Sequence, residues 1–112
     1  MRLEQVHWIG DSRERISAFP AEARREAGYQ LERVQAGKDP ADWKPMPSVG
    51  LGVNEIRVRE DGGAFRDFYV ARFAEAIYVL HAFQKKAQKT PKPDIDLARR
   101  RFRDLARERE QR

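Results

Sequence analysis

At 112 residues the chain has room for one domain with one modest core, and a single domain over residues 1–112 is expected. The composition is 40% hydrophobic and 37% charged with no cysteine, which excludes disulfides and thiolate metal sites. No run reaches the roughly 18 apolar residues of a membrane span, and no basic-then-apolar N-terminal segment marks secretion, so a cytoplasmic protein is expected. The net charge is +5, and residues 84–112 carry 11 basic and 5 acidic side chains against 12 and 13 in the rest, so the C-terminal quarter holds the whole excess.

Residues 5–9, Gln-Val-His-Trp-Ile, are rich in β-branched and aromatic side chains and predict a first strand. Gly10-Asp11-Ser12 breaks it and offers caps for a short helix over 13–18. Pro20 suits the first turn of a second helix. There Ala23, Ala27, Leu31 and Val34 recur at helical spacing on one face, and Gly37 is a natural stop. The two helices are expected to form an antiparallel pair that offers one apolar stripe to a sheet.

Residues 38–50 predict a loop punctuated by proline and glycine, with Trp43 pinning it to the body. Three strands follow. In the first, about 53–59, Ile56 and Val58 point one way and Glu55, Arg57 and Arg59 the other. Asp61-Gly62-Gly63 predicts a hairpin turn, and the second strand, about 64–70, sets Arg66 among aromatics. The third, about 76–83, is apolar on both faces and is expected to be central. A Lys/Pro segment over 85–93 leads to a last helix, about 94–108, whose stripe is Ile95, Ala98, Phe102 and Leu105. Trp8, Phe68, Ile77, Val79 and Leu80 read as core.

The chemistry these residues offer is narrow. Gly50-Leu51-Gly52 is too short for a phosphate loop and lacks its Lys-Ser/Thr pair. His7 and His81 lie far apart, without metal-ligand spacing, and no nucleophile elbow is present. What remains is cationic. Arg57 and Arg59 share a strand face, Arg66 lies on the paired strand, and Lys85 and Lys86 leave the end of the next. Arginines held in fixed geometry suit a phosphate or the extra charge of its transition state. Glu55 and Asp67 stand beside them as available ion-pair partners. The basic C-terminal quarter would draw a polyanion such as RNA, and a solvated basic helix would show the same pattern.

Three runs carry a family resemblance: Asn54-Glu55-Ile56-Arg57-Val58, Phe65-Arg66-Asp67-Phe68-Tyr69, and Leu80-His81-Ala82-Phe83-Gln84-Lys85-Lys86-Ala87-Gln88-Lys89-Thr90-Pro91. Together they resemble the phage-derived branch of the RelE/HigB toxins. That branch typically shows Glu-Leu-Arg, an arginine before an aromatic strand, and a Phe-x-Lys-Lys-Thr-x-Lys-Thr-Pro segment. The resemblance runs over residues 6–105, and the last segment is its most specific part. Ile56 stands in place of the usual leucine. Ala87 replaces the threonine after the lysine pair, which removes a hydroxyl from that loop.

The resemblance implies an α+β, RelE-like fold, with an antiparallel β-sheet, two N-terminal helices packed on it and a C-terminal helix. It implies the toxin of a type II toxin–antitoxin system, neutralised by a small helix-turn-helix antitoxin. Such toxins cleave messenger RNA, often on the ribosome, and inhibit translation; no metal or other cofactor is expected, because the chain offers no ligand cluster. The RNA 2′-hydroxyl attacks the neighbouring phosphate and leaves a 2′,3′-cyclic product. By position, Arg57 and Arg66 fit the strand arginines that hold the phosphate, and Lys85 or Lys86 fits the basic residue at the strand end. The catalytic set is read as Arg57, Arg66 and Lys86, with Arg59, Phe83, Lys85 and Lys89 as substrate contacts.

His81 has the unperturbed pKa best matched to proton transfer, but inside an apolar strand it reads as packed, and Tyr69 reads as core. Phe83 reads as a base-stacking platform or as core. Two other classes stay open: a ParE-like toxin that inhibits gyrase by protein contact, and a non-catalytic phage protein that binds nucleic acid.

Overall fold

The computed structural model describes residues 3–60 and 62–112. In chain order it contains β1 (Val6–Trp8), α1 (Ser12–Ser17), α2 (Ala21–Gln35), β2 (Trp43–Pro45), β3 (Val53–Glu60), β4 (Gly63–Val70), β5 (Ile77–Lys85) and α3 (Lys92–Glu110). Of the hairpin turn predicted over Asp61-Gly62-Gly63, Asp61 lies outside the described residues, and Glu60 pairs with Gly63. Gly62 has φ +75°, a conformation that glycine adopts without strain.

The strands form one five-stranded sheet in the order β1-β5-β4-β3-β2. β2, β3, β4 and β5 pair antiparallel in turn, but β1 pairs with β5 in parallel. The sheet is therefore mixed, which corrects the antiparallel expectation. The physical reason is the helical crossover. The chain leaves β1, runs α1 and α2 over one face and returns at the far edge, so β1 lies beside the last strand in the same direction. The loop expected over 38–50 also contains the short strand β2, in which Trp43 pairs with Ile56 and Pro45 with Asn54. Proline lacks the N–H that a central strand must donate, and this strand lies at the edge.

Strand alternation divides the sheet between two cores. On one face Ile16, Phe19, Ala23, Ala27, Leu31 and Val34 of the N-terminal helical segment pack on Ile56, Val58, Phe65, Tyr69, Ile77 and Val79. On the other, Ala98 and Leu105 of α3, with Ile95 and Phe102, pack on Val53, Phe68, Val70, Tyr78, Leu80 and Phe83. The α2 stripe is buried throughout, and in the α3 stripe Ala98 and Leu105 are buried while Ile95 and Phe102 are partly buried against the second core. Burying a leucine such as Leu105 contributes about 1.5–3 kcal/mol.

A β-bulge interrupts the β4–β5 ladder. Phe68 pairs with His81 and Tyr69 with Val79, leaving Leu80 as the extra residue. Simple alternation from Ile77 would send His81 to the α1–α2 face. The bulge returns it to the α3 face, where it stacks on Phe83 at 5.3 Å and its Nε2 lies 2.7 Å from Asp94 Oδ1.

Candidate functional site

The cationic residues meet because of the hairpin register. Arg57 lies directly opposite Arg66, and Arg59 opposite Ala64. Across the next ladder Arg66 faces Phe83 and Ala64 faces Lys85, while Lys44 on β2 faces Glu55. Alternation then places Lys44, Glu55, Arg57, Arg59, Arg66 and Lys85 on the face that carries α3.

Two arginines directly opposite one another repel. Glu55, fully buried, offsets this. Arg57 Nε donates to Glu55 Oε1 at 3.1 Å, and Arg66 Nε lies 3.7 Å from the same oxygen. The longer distance is a coulombic contact rather than a hydrogen bond. Arg66 instead donates from Nη1 to the Phe65 carbonyl at 3.1 Å. Its side chain is 8% exposed against 33% for Arg57, so Arg57 offers its free edge outward and Arg66 forms the wall behind it.

Burial pushes the Arg66 pKa down, and the Glu55 charge partly restores it. Desolvation, then the Arg66 charge, pushes the Lys85 pKa down as well. Lys85 therefore belongs electrostatically to the arginine cluster. Lys86, read from the sequence as catalytic, is exposed just beyond the end of β5, and Lys89 is exposed in the following turn. Arg59 is exposed near the hairpin end.

Phe83 is 5% exposed and packs against Phe68 with ring centroids 5.4 Å apart. Of the two readings of Phe83, base-stacking platform or core, its burial agrees with core, because the second core already covers the ring. Asp67 lies on the opposite sheet face among first-core residues and is not a partner of Arg66. Burial, then the Glu55 charge, raises its pKa well above the ordinary carboxylate value. Tyr69 is also buried, with its pKa pushed up to about 12. Among the described residues no group of three or more His, Asp or Glu side chains gathers as metal ligands, and no helix is long and apolar enough to cross a membrane.

The family Phage derived protein Gp49-like (DUF891) matches residues 14–103. The chain belongs to this family. Membership agrees with the phage-derived character of the sequence motifs and is consistent, in general terms, with a toxin of a toxin–antitoxin pair. A comparison with curated proteins finds no match. In this Gp49-like chain the match spans β2 to β5 and most of α3, so every cationic residue of the face lies inside it.

Several arginines of α3 prove to be structural. Arg99 donates twice to the Ser48 carbonyl, at 2.9 and 2.8 Å. Arg101 donates to the Leu80 carbonyl at 2.9 Å and to Asp11 at 2.8 Å. Arg109 clasps Glu75 and stacks on Phe73, 3.7 Å from the ring centroid. Arg100, Arg103 and Arg107 remain exposed, at spacings of three and four that put them on one helix face.

Sequence reasoning named Glu55 only as an available partner, although its alternation with Arg57 already placed the two on one face. Lys44 carried no signal, because its place depends on the register of an edge strand that reads as loop. The bulge that directs His81 toward Asp94 likewise leaves no mark in the sequence.

Proposed function

We propose that this Gp49-like protein is the RelE/HigB-type toxin of a type II toxin–antitoxin system and acts as a messenger-RNA endoribonuclease. The observation that carries this reading is the opposed Arg57–Arg66 pair, with Lys85 at the end of the neighbouring strand. Three cations on adjacent strands match a phosphodiester, whose charge rises as the 2′-hydroxyl attacks. In that step the 2′-oxygen bonds to phosphorus and the 5′-oxygen of the next nucleotide leaves. The products are a 2′,3′-cyclic phosphate and a new 5′-hydroxyl end. Arg57 contacts the phosphate oxygens from the open side, Arg66 supplies positive charge from behind, and Lys85 completes the set. Exposed Arg59, Lys86 and Lys89 extend the cationic surface along the RNA. A small helix-turn-helix antitoxin covers this face to silence it.

Regulated expression in a bacterium, with primer extension on abundant messages, tests the proposal. Fresh 5′ ends inside coding regions are expected with the natural chain and not with Arg57→Ala. Intact messages together with stalled DNA replication would overturn the nuclease reading in favour of a gyrase-directed toxin.

A further inference from the structure

Among the described residues Glu55 is the one carboxylate on the cationic face that is fully buried, and the placement of both arginines depends on it. Its Oε1 accepts from Arg57 at 3.1 Å and lies 3.7 Å from Arg66 Nε. Its Oε2 has no hydrogen-bond partner among the described residues and is shut off from solvent. A carboxylate so enclosed does not reach a substrate hydroxyl, which argues against a role as general base. It sits between Arg57 and Arg66, with Lys44 opposite it on β2 and Lys85 at the end of β5, where a carboxylate offsets like charges that would otherwise push apart. By taking the Nε edge of Arg57, it leaves both Nη groups of that residue without a protein partner among the described residues. This is the edge that forms a two-point contact with phosphate.

We infer that Glu55 is a positioning residue, which acts through Arg57 by turning the Nη edge of its guanidinium outward to receive an RNA phosphate. The inference rests on the phosphate-binding reading above. Glu55 itself exchanges no proton with substrate.

The test is a double-mutant cycle on a short single-stranded RNA whose 2′-hydroxyls are methylated, so that it binds without being cut. Binding is read by fluorescence anisotropy, and folding of each variant by circular dichroism. Glu55→Gln in the otherwise natural chain is expected to weaken binding about tenfold, and less than about twofold in the Arg57→Ala background, because there is then no fork to orient. On cleavable RNA, Glu55→Gln is expected to lower the rate while leaving the shape of the pH–rate profile unchanged.

Equal losses in both backgrounds, or none in the natural background, would overturn the inference. So would loss of a limb of the pH–rate profile in Glu55→Gln that the natural chain shows, which would make Glu55 a proton-transfer group. Should Glu55→Gln fail to fold, Glu55→Asp keeps the charge but withdraws the carboxylate by one methylene, and the same cycle applies to it. Failure of the natural chain to bind the methylated RNA would remove the phosphate-binding reading and the inference with it. Strong binding by the natural chain with no effect of the Glu55 variants would remove the inference alone.

Discussion

Arg101 donates to the carbonyl of Leu80 at 2.9 Å, and Leu80 is the residue that the β4–β5 bulge leaves without a ladder partner. A helix arginine thus satisfies backbone that the sheet cannot. Its guanidinium also bonds Asp11 and lies against the bare Cα of Gly10, where an added Cβ would come within 2.5 Å of it. The bonds from Arg101 and Arg15 bring the Asp11 pKa down to about 2. Arg101→Ala should therefore cost about 1–3 kcal/mol in urea unfolding, whereas Arg100→Ala should stay within about 0.5 kcal/mol. Equal values for the two would show that the bulge does not depend on Arg101.

Glycine substitutions should separate close packing from backbone freedom. A Cβ on Gly50 would lie 2.3 Å from the Phe102 ring, so Gly50→Ala must displace that ring and should cost about 1–3 kcal/mol. Gly28, in the middle of α2, has nothing within 4 Å of an added Cβ. Gly28→Ala should stabilise the chain by about 0.5–1 kcal/mol through helix propensity. Thermal melts of the two variants are expected to shift in opposite directions.

Asp67 should give stability a distinctive pH dependence. It is buried, and its Oδ1 has no hydrogen-bond partner among the described residues. With its pKa raised by burial, the folded chain keeps a proton that the unfolded chain releases. Its contribution is complete below the unfolded carboxylate value of about 4 and is lost as the pH rises toward the raised folded value. Asp67→Asn should flatten that decline in unfolding free energy measured across pH. His81, whose pKa burial lowers, acts in the opposite sense and loses stability as pH falls below its unfolded value. A decline with rising pH that persists unchanged in Asp67→Asn would assign it to another group.

Arg57→Ala should lower cleavage of RNA by about 10²–10³, the loss associated with a transition-state contact. Its side chain is one-third exposed, so the fold should survive the change, and unfolding curves provide the check. Growth arrest by a folded Arg57→Ala at natural expression would place the catalytic charge elsewhere.

The exposed face of α3 offers a separate test of RNA binding. Changing Arg100, Arg103 and Arg107 together to Gln should flatten the dependence of log affinity on log salt. The expected change is about 0.7 unit of slope for each phosphate of single-stranded RNA that an arginine no longer neutralises. Arg99 is left in place because it holds the Ser48 carbonyl, and its removal would confound binding with folding. An unchanged slope would mean that this helix face is solvated and that RNA lies along Lys85–Lys89 alone.

Periodicity made much of this architecture legible. The stripes Ala23-Ala27-Leu31-Val34 and Ile95-Ala98-Phe102-Leu105 predicted two buried helix faces, because burial follows the local repeat of the chain. The alternation of Glu55, Arg57 and Arg59 against Ile56 and Val58 fixed which side of the strand is charged for the same reason. Register and crossover are non-local, and only the tertiary structure decided them. It laid β1 parallel to β5, brought Lys44 opposite Glu55, set Arg57 opposite Arg66 and placed Asp67 on the far face. The bulge at Leu80 shifts every later β5 side chain by one position, so no count along the sequence sends His81 to Asp94. The same holds for the arginines of α3. Their number is written in the sequence, but which of them are held by Ser48, Leu80 and Glu75 depends on backbone and carboxylates that only folding brings alongside.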